Sequence, residues 1–418
     1  MGRKNWVCSS SARSRPLAAV TMLLTLAAGT GCIDWDAAAC GSTGTCSAGS
    51  GGGSASGGGN ASGGGNASGG GSASGGGSVS GGGNASGGGS ASGGGSASGG
   101  GSASGGGSAS GGGSGFSFTT LTVPGAVTTG LTGLSGNASV WYATSQTGAM
   151  IRQVGTGPIE LVSAFAASHT LTGVYVAPDG KVFLSAQREL ASCGASCESG
   201  ASYTFFSIGG TAESRGLCGR SSTEVYATAT SDGNDTGTLH RWNGSAWTQV
   251  SSNLGLKSPY GCVVLSDGSV LVGGQTAIAL YSGGNVTPET IDLTGITSNE
   301  QFIMSFYAFA VVGTDVHAVT VNQRVFKRSG TSWAPVHGPN ANSELRAIAA
   351  LGTQAYAGGS ASSGSRLLHL DASGWGAVTP DLAAPTEVRG LHWPSLNRLV
   401  VVGSVNGGND PVVAVGTR

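Results

Sequence analysis

Charged side chains are scarce in this chain of 418 residues, which has 19 Lys and Arg against 20 Asp and Glu. The formal net charge is −1. Without the first 31 residues it becomes −5, because 15 basic side chains then face 20 acidic ones. Proteins that bind nucleic acid need an excess or a stripe of basic residues to neutralise phosphates. Neither is present, so we expect no nucleic-acid partner.

The chain also lacks a recognisable set of catalytic or metal-binding residues. Its six His are scattered, and no Ser-His-Asp arrangement or acid pair at glycosidase separation stands out. His240 and His369 hold equivalent places in two units of the repeat described below for residues 116–418. Their recurrence indicates that these histidines serve packing rather than catalysis. We therefore predict no cofactor, with calcium as one possible exception, and expect a binding protein rather than an enzyme.

A long hydrophobic run is missing as well, since the apolar stretch at residues 17–29 is too short to span a bilayer. Four basic residues precede it, namely Arg3, Lys4, Arg13 and Arg15. Small residues then lead to Cys32. This arrangement resembles a bacterial lipoprotein signal over residues 1–31, and an ordinary secretory signal is the alternative. The resemblance implies an exported chain held to a membrane of the cell envelope through lipid on Cys32, periplasmic or at the cell surface.

Residues 32–46 form a short segment with three cysteines. If Cys32 carries lipid, Cys40 and Cys46 remain as a pair that closes a small loop. Export makes a disulfide the preferred interpretation for that pair, and no His lies nearby to complete a metal site.

Residues 47–115 are predicted to be a disordered linker. The hexapeptide Gly-Gly-Gly-[Ser/Asn]-[Ala/Val]-Ser repeats ten times without interruption over residues 51–110. Such a chain has little apolar surface to offset its backbone entropy. As a random coil it would span about 45 Å on average. A packed array of glycine-rich helices is the alternative.

Residues 116–418 contain seven versions of one pattern, each read as four short β-strands joined by turns. The first strands align on a small residue, at Gly133, Gly173, Gly216, Gly261, Ser305, Ala347 and Gly390. Their spacings are 40, 43, 45, 44, 42 and 43 residues. This regular period is typical of propeller blades, whose innermost strands crowd round an axis. The predicted fold is an all-β, seven-bladed β-propeller.

The two ends of this region complement each other. The seventh unit ends without a fourth strand, and residues 116–123 read as a lone strand before the first unit. Pairing the two would close the ring and remove exposed edges. Two stacked β domains are the competing architecture, and the unbroken period argues against them.

The clearest fourth-strand turn is Trp-Asn-Gly-Ser-Ala-Trp at residues 242–247, with Trp333 and Trp375 at the place of Trp247 in other units. With this motif, residues 116–418 resemble the WNGSxW or WDGSxW repeat propellers of bacterial secreted and surface lipoproteins, distant relatives of kelch and WD propellers. The resemblance implies extracytoplasmic binding or scaffolding and no particular reaction.

Glu-x-Arg enters the first strand of three units, which gives the strongest candidate site. The residues are Glu213 and Arg215, Glu344 and Arg346, and Glu387 and Arg389. Period two puts each Glu and Arg on one side of the strand. They would lie beside the channel, on the edge formed by the fourth-to-first and second-to-third connections, which we call the mouth rim. The interpretations are an ion-pair lattice between blades or a polar ligand site.

A long insertion at residues 187–201 of the second unit is predicted on the same rim, before a third strand at residues 203–208. Cys193 and Cys197 are close enough to form a disulfide, and Arg188 and Glu189 add charge. Long loops on rigid scaffolds often carry function. A disulfide-closed surface loop without a partner is the alternative.

Two further patterns leave alternatives open. Asp232, Asn234 and Thr236 occupy ligand positions of a calcium loop, but the acid expected at position twelve is missing, so a polar hairpin loop competes with calcium. Cys218 and Cys262 lie in first strands of adjacent units, one register apart. They would point to opposite faces, which makes buried thiols as plausible as a disulfide.

Together these patterns predict a membrane-tethered extracytoplasmic module whose rim binds a protein or an envelope glycan. The alternative is an enzyme, a cell-envelope glycan hydrolase or lyase with its site at the channel mouth.

Overall fold

The computed structural model describes residues 115–165, 169–194, 196–209, 213–230, 236–322, 324–338, 343–361, 364–378, 382, 387–405 and 410–418. The predicted signal, the segment with Cys32, Cys40 and Cys46, and the linker lie outside the described residues. These predictions therefore stay predictions.

Seven sheets, each with four antiparallel strands, form the predicted β-propeller, because each unit of the repeat folds into one blade. Alternating turn residues and runs of β-branched or aromatic side chains set the strands. The strands of blades 1 to 3 are β2 Leu131–Gly136, β3 Val140–Ser145, β4 Ala149–Val154, β5 Ile159–Ala164; β6 Leu171–Val176, β7 Val182–Ala186, β8 Glu189–Cys193, β9 Tyr203–Ser207; β10 Ser214–Ser221, β11 Glu224–Thr230, β12 Gly237–Trp242, β13 Trp247–Ser251.

Blades 4 to 6 repeat this order, and blade 5 gains a fifth strand, β18, which pairs in parallel with its outermost strand. The strands are β14 Lys257–Val264, β15 Val270–Gln275, β16 Ile278–Ser282, β17 Asn285–Pro288; β18 Thr290–Ile291, β19 Phe306–Val312, β20 Asp315–Thr320, β21 Val325–Ser329, β22 Ser332–His337; β23 Ser343–Leu351, β24 Gln354–Ala361, β25 Gly364–Asp371, β26 Gly374–Val378. Helix α1, Ser298–Ile303, precedes β19, and a 3-10 turn at Gly200–Ser202 precedes β9.

The two ends of the propeller close the ring as predicted. Blade 7 consists of β27 Glu387–Ser395, β28 Arg398–Val405, β29 Asp410–Thr417 and the N-terminal strand β1 Ser117–Leu121. Strand β1 runs antiparallel to β29, with Ser117 opposite Thr417 and Leu121 opposite Val413. The last blade is therefore built from both ends of the region.

The hydrophobic core lies in the seams between neighbouring blades. Every seam has its own cluster of buried side chains, including the seam between blades 7 and 1, where Trp141 packs with Val400 and Val413. Small residues let the innermost strands approach closely. A Cβ added at Gly216 would lie 2.5 Å from the carbonyl oxygen of Tyr260 and 3.2 Å from the Cα of Gly261.

Two sequence predictions about strands are wrong. In blade 2 the third strand is β8, so residues 203–208 provide the fourth strand instead. In blade 5 the residue equivalent to Gly261 is Ala308 and not Ser305, because Gly261 packs against the Cα of Ala308. The connection that contains α1 lengthens the spacing from Gly261 to 47 residues and leaves 39 to Ala347.

Candidate functional site

A register shift occurs at the start of every innermost strand. Each of the seven first-to-second strand pairs has extra residues on the first strand, immediately before the small residue that packs against the next blade. Such β-bulges bend a strand and re-aim the side chain that they leave unpaired. The residues before the small positions are Thr132, Thr172, Arg215, Tyr260, Tyr307, Arg346 and Arg389, which we call the bulge ring.

The bulge ring lines the channel. All seven members are half-buried, although they sit on the innermost strands and each follows a buried residue. Four members from blades 3 to 6 contact one another in turn, which places these four at one level around the axis: Arg215, Tyr260, Tyr307 and Arg346. The side chains of Arg215, Arg346 and Arg389 remain 33, 31 and 21 % exposed.

A stacked ladder runs through the ring from blade 3 to blade 6. The guanidinium of Arg215 lies 4.8 Å from the ring centroid of Tyr260, and Tyr260 stacks on Tyr307 at 4.4 Å. Arg346 continues the ladder, 5.3 Å from the centroid of Tyr307. Burial, with the nearby Tyr260, raises the pKa of Tyr307, so its phenol stays protonated at neutral pH.

The predicted Glu-x-Arg pairs form as ion pairs within their own strands. Glu213 contacts Arg215 at 2.6 Å and Glu387 contacts Arg389 at 2.8 Å. In blades 4 and 5, Ser258 and Ser305 take the place of the glutamates, and Tyr260 and Tyr307 take the place of the arginines.

One of these arginines also joins two blades. Arg346 of blade 6 contacts Glu344 at 2.6 Å and, through Nε, the Oε1 of Glu387 in blade 7 at 3.1 Å. Burial pushes the pKa of Glu387 upward, but the hydrogen bond from Arg389 and the charges of Arg389 and Arg346 outweigh it, so this pKa is lowered. A carboxylate held ionised in this way is suited to binding and structure rather than to donating a proton.

The mouth rim also holds the three described residues other than glycine with positive φ, namely Arg188, Ser258 and Thr276, at 68, 44 and 59°. Arg188 and Thr276 lie in second-to-third strand turns, and Ser258 lies in the wide bulge before Tyr260. Such backbone conformations cost about 1–3 kcal/mol each and cluster at functional sites. Their common position makes this rim a candidate for the functional surface.

Two of the three charged residues of the predicted insertion, Arg188 and Glu189, lie on the mouth rim. Arg188 is exposed, and its guanidinium has no hydrogen-bond or ion-pair partner among the residues that the structure describes, while its backbone carbonyl accepts a hydrogen bond from the N–H of Ile208. Glu189 begins β8 and pairs with Nδ1 of His169 at 2.5 Å, while His169 stacks on Phe205. Arg188 is therefore available to a ligand, whereas Glu189 is already engaged.

The disulfide-closed loop lies on the other edge of the ring, and its predicted place on the mouth rim is wrong. Cys193 and Cys197 are bonded as expected, with Cα atoms 5.2 Å apart. Because β8 is the third strand of its blade, the loop connects strands three and four. Those connections lie on the edge opposite the mouth rim, which we call the opposite rim.

Cys218 and Cys262 form a second disulfide, across the seam between blades 3 and 4. The two thiols face each other, contrary to the prediction that they point apart, because a one-register offset separates side chains within one sheet but not between two facing sheets. Side chains at equivalent positions of successive blades point in the same direction around the ring. A side chain of blade 4 that points back towards blade 3 must therefore lie one position away from the equivalent of Cys218. Two disulfides agree with an exported protein that matures in an oxidising compartment.

The predicted calcium loop is only partly described by the structure. Asp232 and Asn234 lie outside the described residues, and Thr236 forms a β-bridge with Lys257, so the calcium site stays a prediction. In the described residues no cluster of three or more His, Cys, Asp or Glu is arranged for a metal ion. A search of the same residues finds no helix long and apolar enough to cross a membrane.

A cleft of about 360 Å³ opens on the opposite rim, between blades 5 and 6. Asp315, Lys327 and Trp375 are among its lining residues. None of the predicted site residues belongs to it.

Sequence reasoning missed Tyr260 and Tyr307. The signal was present in the repeated Ser-x-Tyr of Ser258-Pro-Tyr260 and Ser305-Phe-Tyr307. Aligning blade 5 on Ser305 rather than Ala308 hid this correspondence with the Glu-x-Arg units.

Comparison with solved structures shows the propeller fold in proteins of differing function. Virginiamycin B lyase from Staphylococcus aureus is 12 % identical, with a TM-score of 0.56 over 72 % of this chain and 99 % of the lyase. The WD40 β-propeller domain of Doa1 is 13 % identical, with a TM-score of 0.55 over 72 and 97 % of the two chains. The extracellular domain of a putative one-component system from B. thetaiotaomicron is 10 % identical, with a TM-score of 0.54 over 72 and 40 %.

No protein-family model and no curated protein matches the sequence. At these identities the structural likeness shows the fold alone.

Proposed function

We propose that this chain is an exported binding protein that holds a protein or envelope glycan at the mouth of its propeller, tethered to a membrane by lipid on Cys32 and the linker of residues 47–115. The bulge ring carries this proposal. Seven bulges aim seven side chains at the channel, and five of them are large residues able to form hydrogen bonds.

The mouth rim adds surface suited to a macromolecular partner. Helix α1 lies in the connection between blades 4 and 5, and its Phe302 and Ile303 are 76 and 53 % exposed. Apolar side chains exposed beside a polar site are typical of binding surfaces. They would pack against the partner while the ring fixes its orientation.

Capture experiments with the full chain test the binding role. Envelope extracts are passed over immobilised wild-type protein and over the double variant Arg215→Ala, Arg389→Ala. Arg241→Ala is the matched control, because this exposed arginine lies on β12, away from the ring. We expect the double variant to lose a partner that the wild type and the control both retain. Capture that is equal for all three proteins contradicts the proposal.

The tether and the enzymatic alternative have separate tests. Replacing Cys32 by Ser should move the protein from the membrane to the soluble fraction, and unchanged fractionation would rule out the lipid anchor.

Incubation with purified envelope glycan should release no new reducing or unsaturated ends. Their release, if abolished by Glu387→Gln, would favour a glycan hydrolase or lyase instead.

A further inference from the structure

The bulge ring is uneven and leaves one open sector. Blades 3 to 7 contribute Arg215, Tyr260, Tyr307, Arg346 and Arg389, but blades 1 and 2 contribute only Thr132 and Thr172. Threonine fills far less space than arginine or tyrosine. The side chains of the ring therefore leave the most room over blades 1 and 2, in the sector between Arg389 of blade 7 and Arg215 of blade 3.

The two flanking arginines have hydrogen-bond donors to spare. Each uses Nη2 to donate to the glutamate of its own strand, Glu213 or Glu387. A guanidinium has five N–H groups, and in the described residues the other donors of Arg215 have no partner. The Nε of Arg389 is buried and out of reach of a ligand, so the donors that this residue can offer are those of Nη1 and the second N–H of Nη2. By contrast, Arg346 already contacts two carboxylates.

A third cation lies on the rim at this sector. Arg188 is in the second-to-third strand turn of blade 2, exposed and held at a φ of 68°. A glycine would adopt this conformation without strain. The chain instead places an arginine there, and no acid of the described residues neutralises it.

The ladder disfavours a sugar as the occupant. Sugars bind aromatic side chains by stacking on an open ring face. In this ring, Tyr260 lies between Arg215 and Tyr307, and Tyr307 lies between Tyr260 and Arg346. The faces of both rings are occupied inside the protein, so the hydrogen-bond donors of the arginines remain the main means of recognition.

We infer that the open sector binds carboxylates of an acidic peptide segment in a partner protein, using the free N–H groups of Arg215 and Arg389 with Arg188 as an outer contact. This inference rests on the proposed function and specifies its ligand. Guanidinium groups bind carboxylates through two parallel hydrogen bonds, which lysine cannot reproduce. Because Glu213 and Glu387 offset the net charge, donor geometry rather than positive potential provides the affinity.

Titration of the full chain with defined probes tests this inference. The probes are a ten-residue Gly-Glu repeat with blocked ends, the same peptide with Gln for Glu, and an oligogalacturonate of similar length. We expect the Glu peptide to bind at least about tenfold more tightly than the Gln peptide. Arg215→Ala, Arg389→Ala and Arg215→Lys should each weaken its binding about tenfold or more, whereas Arg241→Ala should leave it unchanged.

Several outcomes overturn the inference. Equal binding of the Glu and Gln peptides would show that the carboxylate is not recognised. Binding of the Glu peptide by Arg215→Lys as tight as by the wild type would show that the guanidinium geometry is not needed. Binding of the oligogalacturonate alone assigns the sector to an acidic glycan. If the peptides fail while capture from envelope extracts still depends on Arg215 and Arg389, only the ligand class is wrong. If that capture is independent of both arginines, the proposed function fails as well.

Discussion

Tyr260 and Tyr307, which come from adjacent blades, stack with their ring centroids 4.4 Å apart and their planes 21° apart. This contact joins two innermost strands at the channel. It also supports Arg215 and Arg346, which lie against the outer sides of the pair.

Substitution of Tyr260 separates stacking from the hydroxyl group. Tyr260→Ala should lower the melting temperature and weaken capture of the partner, because it removes a stacked ring and the surface under Arg215. The free energy lost should be about 1–3 kcal/mol. Tyr260→Phe keeps the ring and should behave like the wild type in thermal unfolding. Equal loss in both variants would show that the hydroxyl, and not the stack, is what matters.

The disulfide across the seam of blades 3 and 4 should stabilise the fold more than the local one. Cys218 and Cys262 are separated by 44 residues, whereas Cys193 and Cys197 are separated by only 4. A longer closed loop restricts the unfolded chain more strongly. Replacing both cysteines of the long pair by Ala should cost about 4 kcal/mol, against about 2 kcal/mol for the short pair. Thermal unfolding of the two double variants tests this order, and the reverse order would contradict it.

Substitution of Glu289 should destabilise the fold more than substitution of any other carboxylate of blade 5. Its side chain is 1 % exposed and accepts hydrogen bonds from Arg328 and from the indole Nε1 of Trp333. Glu289→Ala would leave a cation and an indole N–H without an acceptor, at a cost of about 3–5 kcal/mol. Asp315→Asn is the control, because the Asp315–Lys327 pair is exposed and should contribute less than about 1 kcal/mol. Denaturant unfolding measures both, and a small loss in Glu289→Ala would refute the prediction.

Stability should fall as the pH drops from about 6.5 towards 4. Burial lowers the pKa of His240, His317 and His392 to about 4, from an ordinary value of 6.5. Between these values the unfolded chain binds more protons than the folded one. The stability that neutral His provides is thus present above pH 6.5 and is lost as the pH falls towards 4.

His392→Gln tests this pH dependence. The Nε2–H of His392 donates a hydrogen bond to the backbone carbonyl oxygen of Asn137 in blade 1, and it can do so while the ring is neutral. Glutamine can donate the same bond but does not titrate. The melting temperature of this variant should therefore fall less than that of the wild type between pH 7.5 and 5. Parallel curves for the two proteins would exclude His392 as a contributor.

The fold was largely predictable from the sequence, because each blade repeats local signals. Turn residues, β-branched runs and a small residue in each first strand recur at a nearly constant spacing. The pairing of β1 with β29 was predicted because the seventh unit lacks a fourth strand and a lone strand precedes the first unit. Prediction failed where an insertion changed the spacing: the connection with α1 displaced the alignment of blade 5 by three residues, from Ala308 to Ser305.

The candidate site was only partly predictable. Glu-x-Arg identified three positions of the bulge ring, since an ion-pair motif is visible in one strand. The ladder was not visible, because a contact such as Tyr260 with Tyr307 depends on bulges and on the rotation between blades. The orientation of Cys218 and Cys262 was predicted wrongly for the same reason, since register rules within one sheet do not describe the contact between two sheets.

The closure of blade 7 also bears on how the protein comes to be folded. Strand β1 is synthesised before the other strands of the ring, yet its partner β29 is the last of them, and Ser117 must meet Thr417 across 300 residues of chain. Contacts of such high sequence separation form late and slow a folding reaction. Until β29 has been synthesised, β1 has no neighbour and blade 7 presents open strand edges to the surroundings. The ring therefore cannot be completed blade by blade as the chain emerges, and a chaperone that shields β1 during this interval would raise the yield of folded protein.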